Sequence, residues 1–297
     1  MRPDPDVACI TAPNPGPMTL EGTNTYLIGR EPTSVIDPGP ADESHIAALV
    51  AAADERGGFD FVLVTHGHAD HSDGVAPFLK GWRRHAAQFD VPHQTHSPVE
   101  YAGQPVAADT STRELAPDED GLEEVTTEHP PLLSDEAGPE LQTLPTPGHS
   151  PDHVCFLIPP HGEIGHAFDG WVCFAGDLIL GEGSTIVPPA AQGGSLADYM
   201  ESLRKLQALE LELIYPGHGP EITDPAAKIA EYISHRTERE ERLVAALDRG
   251  ERSRIALLTE VWDDVPAELR PAAAYAMQAH LEKLEAEGRV REAELSE

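Results

Sequence analysis

Short apolar runs recur along the chain, and each ends in a turn that carries a polar residue. Phe59-Asp60-Phe61-Val62-Leu63-Val64 reads as a buried strand, and so do the runs over 141–144, 171–174 and 211–215. Ser34-Val35-Ile36 closes a hairpin predicted over 20–40. Helical spacing takes over elsewhere. Residues 44–56 read as a helix capped by Ser44 or Asp42 and stopped by Gly57-Gly58. Leu196, Tyr199, Met200, Leu203 and Leu206 share one face of a helix predicted over 196–209.

Beyond residue 220 the pattern is helical, over 225–249, 252–262 and 266–287, followed by Gly288 and an edge strand at Arg289-Val290-Arg291. Leu269, Ala273, Ala276, Met277, His280, Leu281 and Leu284 are the expected buried face of the last helix. Residues 103–140, rich in Pro, Thr and acids, predict long loops around short strands, and 161–170 a hairpin insertion. Strands with interleaved helices, then helices alone, predict an α/β catalytic domain over 1–222 and a small helical domain over 223–297.

The turns carry the chemistry. The strand over 59–64 runs into Thr65-His66-Gly67-His68-Ala69-Asp70-His71, three imidazoles and a carboxylate within six residues. All are ligands for zinc or a similar divalent ion. The other strand-like runs lead into Pro147-Gly148-His149, Gly176-Asp177 and Pro216-Gly217-His218. Four strands thus deliver His, Asp and His ligands to one sheet edge. His85, His93, His96, His129, His161 and His166 lack this strand-turn-ligand pattern and read as surface residues.

The set His66-x-His68-x-Asp70-His71, His149, Asp177 and His218 resembles the metallo-β-lactamase superfamily. The similarity is closer to its lactamase-beta-like protein 2 branch. It is carried by the run from Asn14-Pro15-Gly16 to Asn24-Thr25-Tyr26-Leu27, by the run from Asp177 to Ser184-Thr185, and by Ile214-Tyr215-Pro216-Gly217-His218-Gly219-Pro220. It continues through Tyr232-Ile233-Ser234-His235-Arg236 to the end of the chain. The resemblance implies an αββα sandwich followed by a winged-helix-like domain. It implies that His66, His68 and His149 hold one metal, that Asp70, His71 and His218 hold a second, and that Asp177 bridges them together with a hydroxide. Zn²⁺ is the expected ion, with Mn²⁺ and Fe²⁺ compatible with the same ligands.

Around this set, Asp70 and His153 are candidate catalytic residues, His153 either touching substrate or orienting a ligand. Asn24, Ser184 and Thr185 are candidate substrate contacts, although Asn24 equally suits a hydrogen-bonding role in the hairpin. Asp37 is either a turn aspartate or a partner that holds a metal histidine. Cys155 and Cys173 lie in apolar runs and read as core. Asp rather than Cys at 177 makes antibiotic hydrolysis a less expected activity.

The resemblance implies a hydrolase. Its branch points to a phosphodiesterase acting as an endoribonuclease on single-stranded RNA. Glyoxalase II-like and thioesterase relatives point instead to a small thioester or ester. A binding module built on the C-terminal helices is a third reading, disfavoured by a complete seven-ligand set.

Charge bears on this choice. The formal net charge is −32, from 52 acids against 20 bases. RNA affinity rests largely on Lys and Arg neutralising phosphates, so this charge favours the small substrate. The bases are uneven: 11 of them fall in residues 221–297, against nine in 1–220. That concentration suits either a nucleic-acid face or salt-bridged helices. Lysine is scarce, which fits either a high-salt cytoplasm or an Arg-favouring GC-rich genome. Cys9, Cys155 and Cys173 form no disulfide framework. No apolar run approaches membrane-spanning length and the N-terminus has no signal-like segment, so the expected location is the cytoplasm, with no membrane partner.

Overall fold

The computed structural model describes residues 6–89, 99–101, 141–160, 168–291 and 294–296. The predicted loops over 103–140, most of the 161–170 insertion, and His93, His96, His129, His161 and His166 lie outside them. Two sheets pack face to face between helices. The first holds β1 (Val7–Thr11), β2 (Asn24–Ile28), β3 (Thr33–Ile36), β4 (Phe59–Val64) and β5 (Val99–Tyr101), in that order. The second holds β6 (Gln142–Pro145), β7 (Val154–Ile158), β8 (Trp171–Gly176) and β9 (Leu211–Pro216). β3 and β4 run parallel, as do β8 and β9, so ligand-bearing turns leave matching strand ends.

Alternation along the strands explains the layers. Tyr26, Ile28, Phe156, Ile158, Val172 and Phe174 point between the sheets into one core. Their neighbours Leu27, Val35 and Val62 point the other way, under α1 (Glu43–Glu55) and α3 (Val75–Phe89), the short α2 (Ala69–Ser72) lying between them in sequence. Cys155, Leu157 and Cys173 point under α4 (Leu196–Gln207) and α5 (Pro225–Asp248). Burial on both faces makes each of these side chains worth about 2 kcal/mol relative to exposure. Both cysteines are core residues, as their apolar settings suggest.

The helix stops follow local chemistry. Asp42 caps α1 by accepting the N–H groups of Ser44 and His45. Gly57 and Gly58 end it with positive φ of 83° and 98°, which side-chain-bearing residues rarely adopt. Ser195 caps α4, which buries the predicted Leu196, Tyr199, Met200, Leu203 and Leu206 face.

The C-terminal region contains α5, α6 (Arg254–Val261) and α7 (Arg270–Ala286). One helix serves two cores: Ile229 and Tyr232 of α5 pack under the second sheet, whereas Leu243, Ala246 and Leu247 pack with α6 and α7. Two expectations fail here. Leu269 is 40% exposed, because it sits in a 3-10 turn before α7 rather than on the buried face. Arg289-Val290-Arg291 is not a strand: Val290 packs on the core while Arg289 turns to Glu240, and the ladder contact nearby among the described residues is the Ser253–Ser296 bridge.

Candidate dinuclear metal centre

The C-terminal ends of β4, β8 and β9 and the β6–β7 turn bring seven predicted residues together. His66, His68, His149 and Asp177 form one group of converging atoms, and Asp70, His71 and His218 form another. In the first, His68 Nδ1 lies 2.9 Å from His66 Nε2 and 3.0 Å from His149 Nε2. His149 Nε2 is 3.6 Å from Asp177 Oδ2. In the second, the other Asp177 oxygen, Oδ1, lies 3.4 Å from His71 Nε2 and 3.2 Å from His218 Nε2. Asp70 Oδ2 stands 3.6 Å from His71 Nε2 and 3.3 Å from His218 Nε2. Ligands about 2.0–2.1 Å from a tetrahedral ion are separated by roughly 3.3 Å, the spacing seen here.

Buried atoms without a partner make the same point. His71 Nε2 and Asp177 Oδ1 are buried with no hydrogen-bond partner. A buried polar atom is costly unless something satisfies it, and one cation at the second group would satisfy both. The residues therefore fit two divalent ions, with Asp177 offering one oxygen to each.

The far side of each ring fixes which nitrogen is free. His71 Nδ1 donates to Asp37 Oδ2 at 2.8 Å, His149 Nδ1 to the Ile186 carbonyl at 2.9 Å, and His218 Nδ1 to the Gly22 carbonyl at 3.1 Å. Thr65 Oγ1 donates to Asp37 and accepts from His66 Nδ1 at 3.1 Å. In each case Nε2 is left with its lone pair facing the cluster. Asp37 is thus more than a turn residue: it holds a left-handed φ of 50°, and its other oxygen accepts the Thr65 N–H.

Charge in the cluster follows from these contacts. Burial, then the neighbouring His71, pushes His66 well below the ordinary histidine range. Burial and His149 lower His68. Both are neutral, as ligands must be. Burial opposes ionisation of Asp177, but His71 and His218 outweigh it and hold its carboxyl well down. Burial likewise opposes charge on His218, yet Asp177 and Asp70 draw it up to about 9. The carboxylates thus draw positive charge to the very nitrogens that face the second group.

The remaining candidates separate. Asp70 is partly exposed and held by the Thr23 hydroxyl at 3.3 Å. Ser184 and Thr185 line the cavity above the cluster. Asn24 does not line that cavity: its amide donates to the Pro216 and Gly219 carbonyls at 3.1 and 2.8 Å, bracketing His218. His153 is buried behind Asp177, accepting its N–H at 3.2 Å and bonded to Thr146 Oγ1 at 2.9 Å. With both ring nitrogens so engaged, it faces the backbone of a ligand and not the substrate space. His85 pairs with Asp54 on α1, away from the cluster.

Sequence reasoning missed Asp152, whose carboxylate accepts the Gly67 N–H at 2.8 Å and pins the ligand loop; its only signal was a Pro-Asp turn beside His149. The C-terminal helices also shape the site. His68, Asp70, His149, Asp177 and His218 line a cavity of about 460 Å³. Met18, Leu180 and Ile186 form one side, and Trp262, Val265, Leu269 and Ala276 the other. No helix among the described residues is long and apolar enough to cross a membrane.

Similarity to known proteins agrees with this architecture. Residues 18–218 match the family described as Metallo-beta-lactamase superfamily, and 256–296 match the Beta-lactamase associated winged helix domain. A Drosophila melanogaster protein named Beta-lactamase-like protein 2 homolog is 32% identical over 284 residues, covering 94% of this chain and 87% of that one. An Aspergillus chevalieri protein named Atrochrysone carboxyl ACP thioesterase is 33% identical over 250 residues, covering 83% and 67%. A solved metallo-beta-lactamase family protein from Thermus thermophilus superposes with a TM-score of 0.62 at 24% identity, covering 96% and 94%. The chain belongs to the metallo-beta-lactamase superfamily and carries that superfamily's associated winged-helix domain.

Proposed function

We propose that this metal-dependent hydrolase cleaves a small thioester or ester whose acyl arm is apolar. The observation that carries the reading is the cavity: its floor is the ligand cluster and its C-terminal wall is Trp262, Val265, Leu269 and Ala276. Such a wall suits an alkyl or aryl group. Of the basic residues that line the same cavity, His235, Arg236 and Arg239, both arginines are engaged, Arg239 with Asp264 and Arg236 with Thr185 and Ser184. The likeness to a protein named a thioesterase points the same way.

Two divalent ions, held by His66, His68, His149, Asp70, His71, His218 and Asp177, would supply a water activated near neutral pH and a Lewis-acidic seat for the carbonyl oxygen. The chain's own residues do the rest. Asp70, Asp177 and the five histidines fix the two positions. Asp70, reached from the cavity, accepts the hydrogen bond or proton of the attacking water, and Thr23 holds the carboxylate in place.

A second reading is favoured by a different observation. The likeness to the Drosophila protein runs through the C-terminal region, and the resemblance of that branch implies cleavage of single-stranded RNA. One experiment separates the two: N-acetylcysteamine thioesters and p-nitrophenyl esters of graded acyl length, beside a fluorogenic oligoribonucleotide, with Asp70→Ala as control. The acyl reading predicts thioester or ester turnover that falls about 10²–10⁴-fold in the control. Cleavage of the oligoribonucleotide alone, lost in the control, would replace it with the RNA reading.

A further inference from the structure

Between the bridging candidate Asp177 and Ile186, whose carbonyl holds the His149 ring, the chain runs as a loop without regular structure. Two residues of α5, one helical turn apart, hold that loop at both ends. Tyr232 Oη accepts the Leu180 N–H at 3.0 Å and donates to the Gly183 carbonyl at 3.1 Å. Arg236 Nη2 donates to Ser184 Oγ at 3.1 Å and to the Thr185 carbonyl. The next residue, Ile186, fixes His149.

Arg236 is 5% exposed, and no carboxylate pairs with it among the described residues. In a chain with 52 acids this is an unusual place for a buried cation. Its other neighbour is the Tyr199 ring, 5.5 Å from the guanidinium carbon. One nitrogen, Nη2, serves both acceptors while the flat guanidinium lies over the Tyr199 ring, a stacking that arginine offers and lysine does not.

We infer that Arg236, helped by Tyr232, is a positioning residue for the metal centre: through the 184–186 segment it sets the His149 ring, and so tunes the ion held by His66, His68 and His149. The inference rests on the two-ion reading of the cluster, but on no choice of substrate. It makes the C-terminal helices part of the metal site.

The test is chelator competition on the parent, Arg236→Met, Arg236→Lys and Tyr232→Phe, with the Co²⁺ absorption spectrum and the melting temperature of the metal-free proteins recorded alongside. Arg236→Met is expected to weaken one of two ions by about 10–100-fold, as loss of a partner behind a ligand does, and to alter the spectrum of that ion only. Arg236→Lys should fall between, and Tyr232→Phe should weaken the same ion by less. Should Arg236→Met not fold, the lysine and Tyr232 variants carry the test. Lowered melting with both affinities and the spectrum unchanged would make Arg236 a mere staple and overturn the inference. A parent that binds fewer than two ions would overturn the two-ion reading, and this inference with it.

Discussion

Asp37 Oδ2 lies 2.8 Å from His71 Nδ1, and the same oxygen accepts the Thr65 hydroxyl at 2.7 Å. One buried carboxylate therefore orients His71 directly and His66 through Thr65. Asp37→Ala frees both rings and is expected to cost about 10–100-fold in metal affinity, with Asp37→Asn between. Chelator competition checks this. Parental affinity in the alanine variant would show that packing alone orients the rings.

Gly217 admits no side chain. A Cβ there would stand 2.8 Å from both Asp177 Oδ1 and His71 Cε1. Gly217→Ala should fold yet bind the ion at Asp70, His71 and His218 on the order of tenfold more weakly, because a ligand must move to make room. Metal content after dialysis, set beside circular dichroism, reads the two effects separately.

Ala276 lies on α7 in the cavity wall and is buried. Ala276→Phe is expected to raise KM for long acyl groups by about tenfold while leaving acetyl turnover intact, since the added ring occupies the space of the arm and not of the reacting carbonyl. A uniform loss across chain lengths would place the substrate elsewhere.

Acid stability has a local marker among the C-terminal helices. The buried His280 ring beside it and the Lys283 ammonium 2.9 Å away hold the Glu240 carboxyl down at about 2. A depressed carboxylate stabilises the fold above its unfolded value near about 4.3 and loses that contribution as pH falls toward about 2. Glu240→Gln should therefore cost on the order of 1 kcal/mol near about pH 6, allowing for solvent screening, and nothing near about pH 2. Urea titrations of parent and variant across this range check the convergence.

The seven candidate ligands were legible because each follows an apolar strand through a turn, a pattern set by neighbours in sequence. Longer-range relations were not. Asn24 read as a substrate contact or a hairpin hydrogen-bonding residue; its carboxamide oxygen accepts the Thr11 hydroxyl across the hairpin, but its amide reaches the Pro216 and Gly219 carbonyls, far away in sequence. His153 sits four residues after a ligand, and only the register of β7 against β6 turns it behind Asp177. Leu269 fits the helical spacing of α7, yet the helix begins one residue later. The helix α3 passed unnoticed although Val75, Phe78, Leu79, Trp82 and Ala86 recur at helical spacing; its charged and polar residues diluted the signal. Tyr232 and Arg236 marked the resemblance without revealing that they grip the loop beside the metal ligands.

Seven side chains from both sheets converge so as to hold two divalent ions through one shared carboxylate. The direct measurement is the number of ions bound per chain, by inductively coupled plasma mass spectrometry after reconstitution, in the parent and in Asp177→Ala. Two ions per chain are expected in the parent and one or none in the variant. Two ions retained without the Asp177 carboxylate, or no more than one in the parent, would contradict this arrangement.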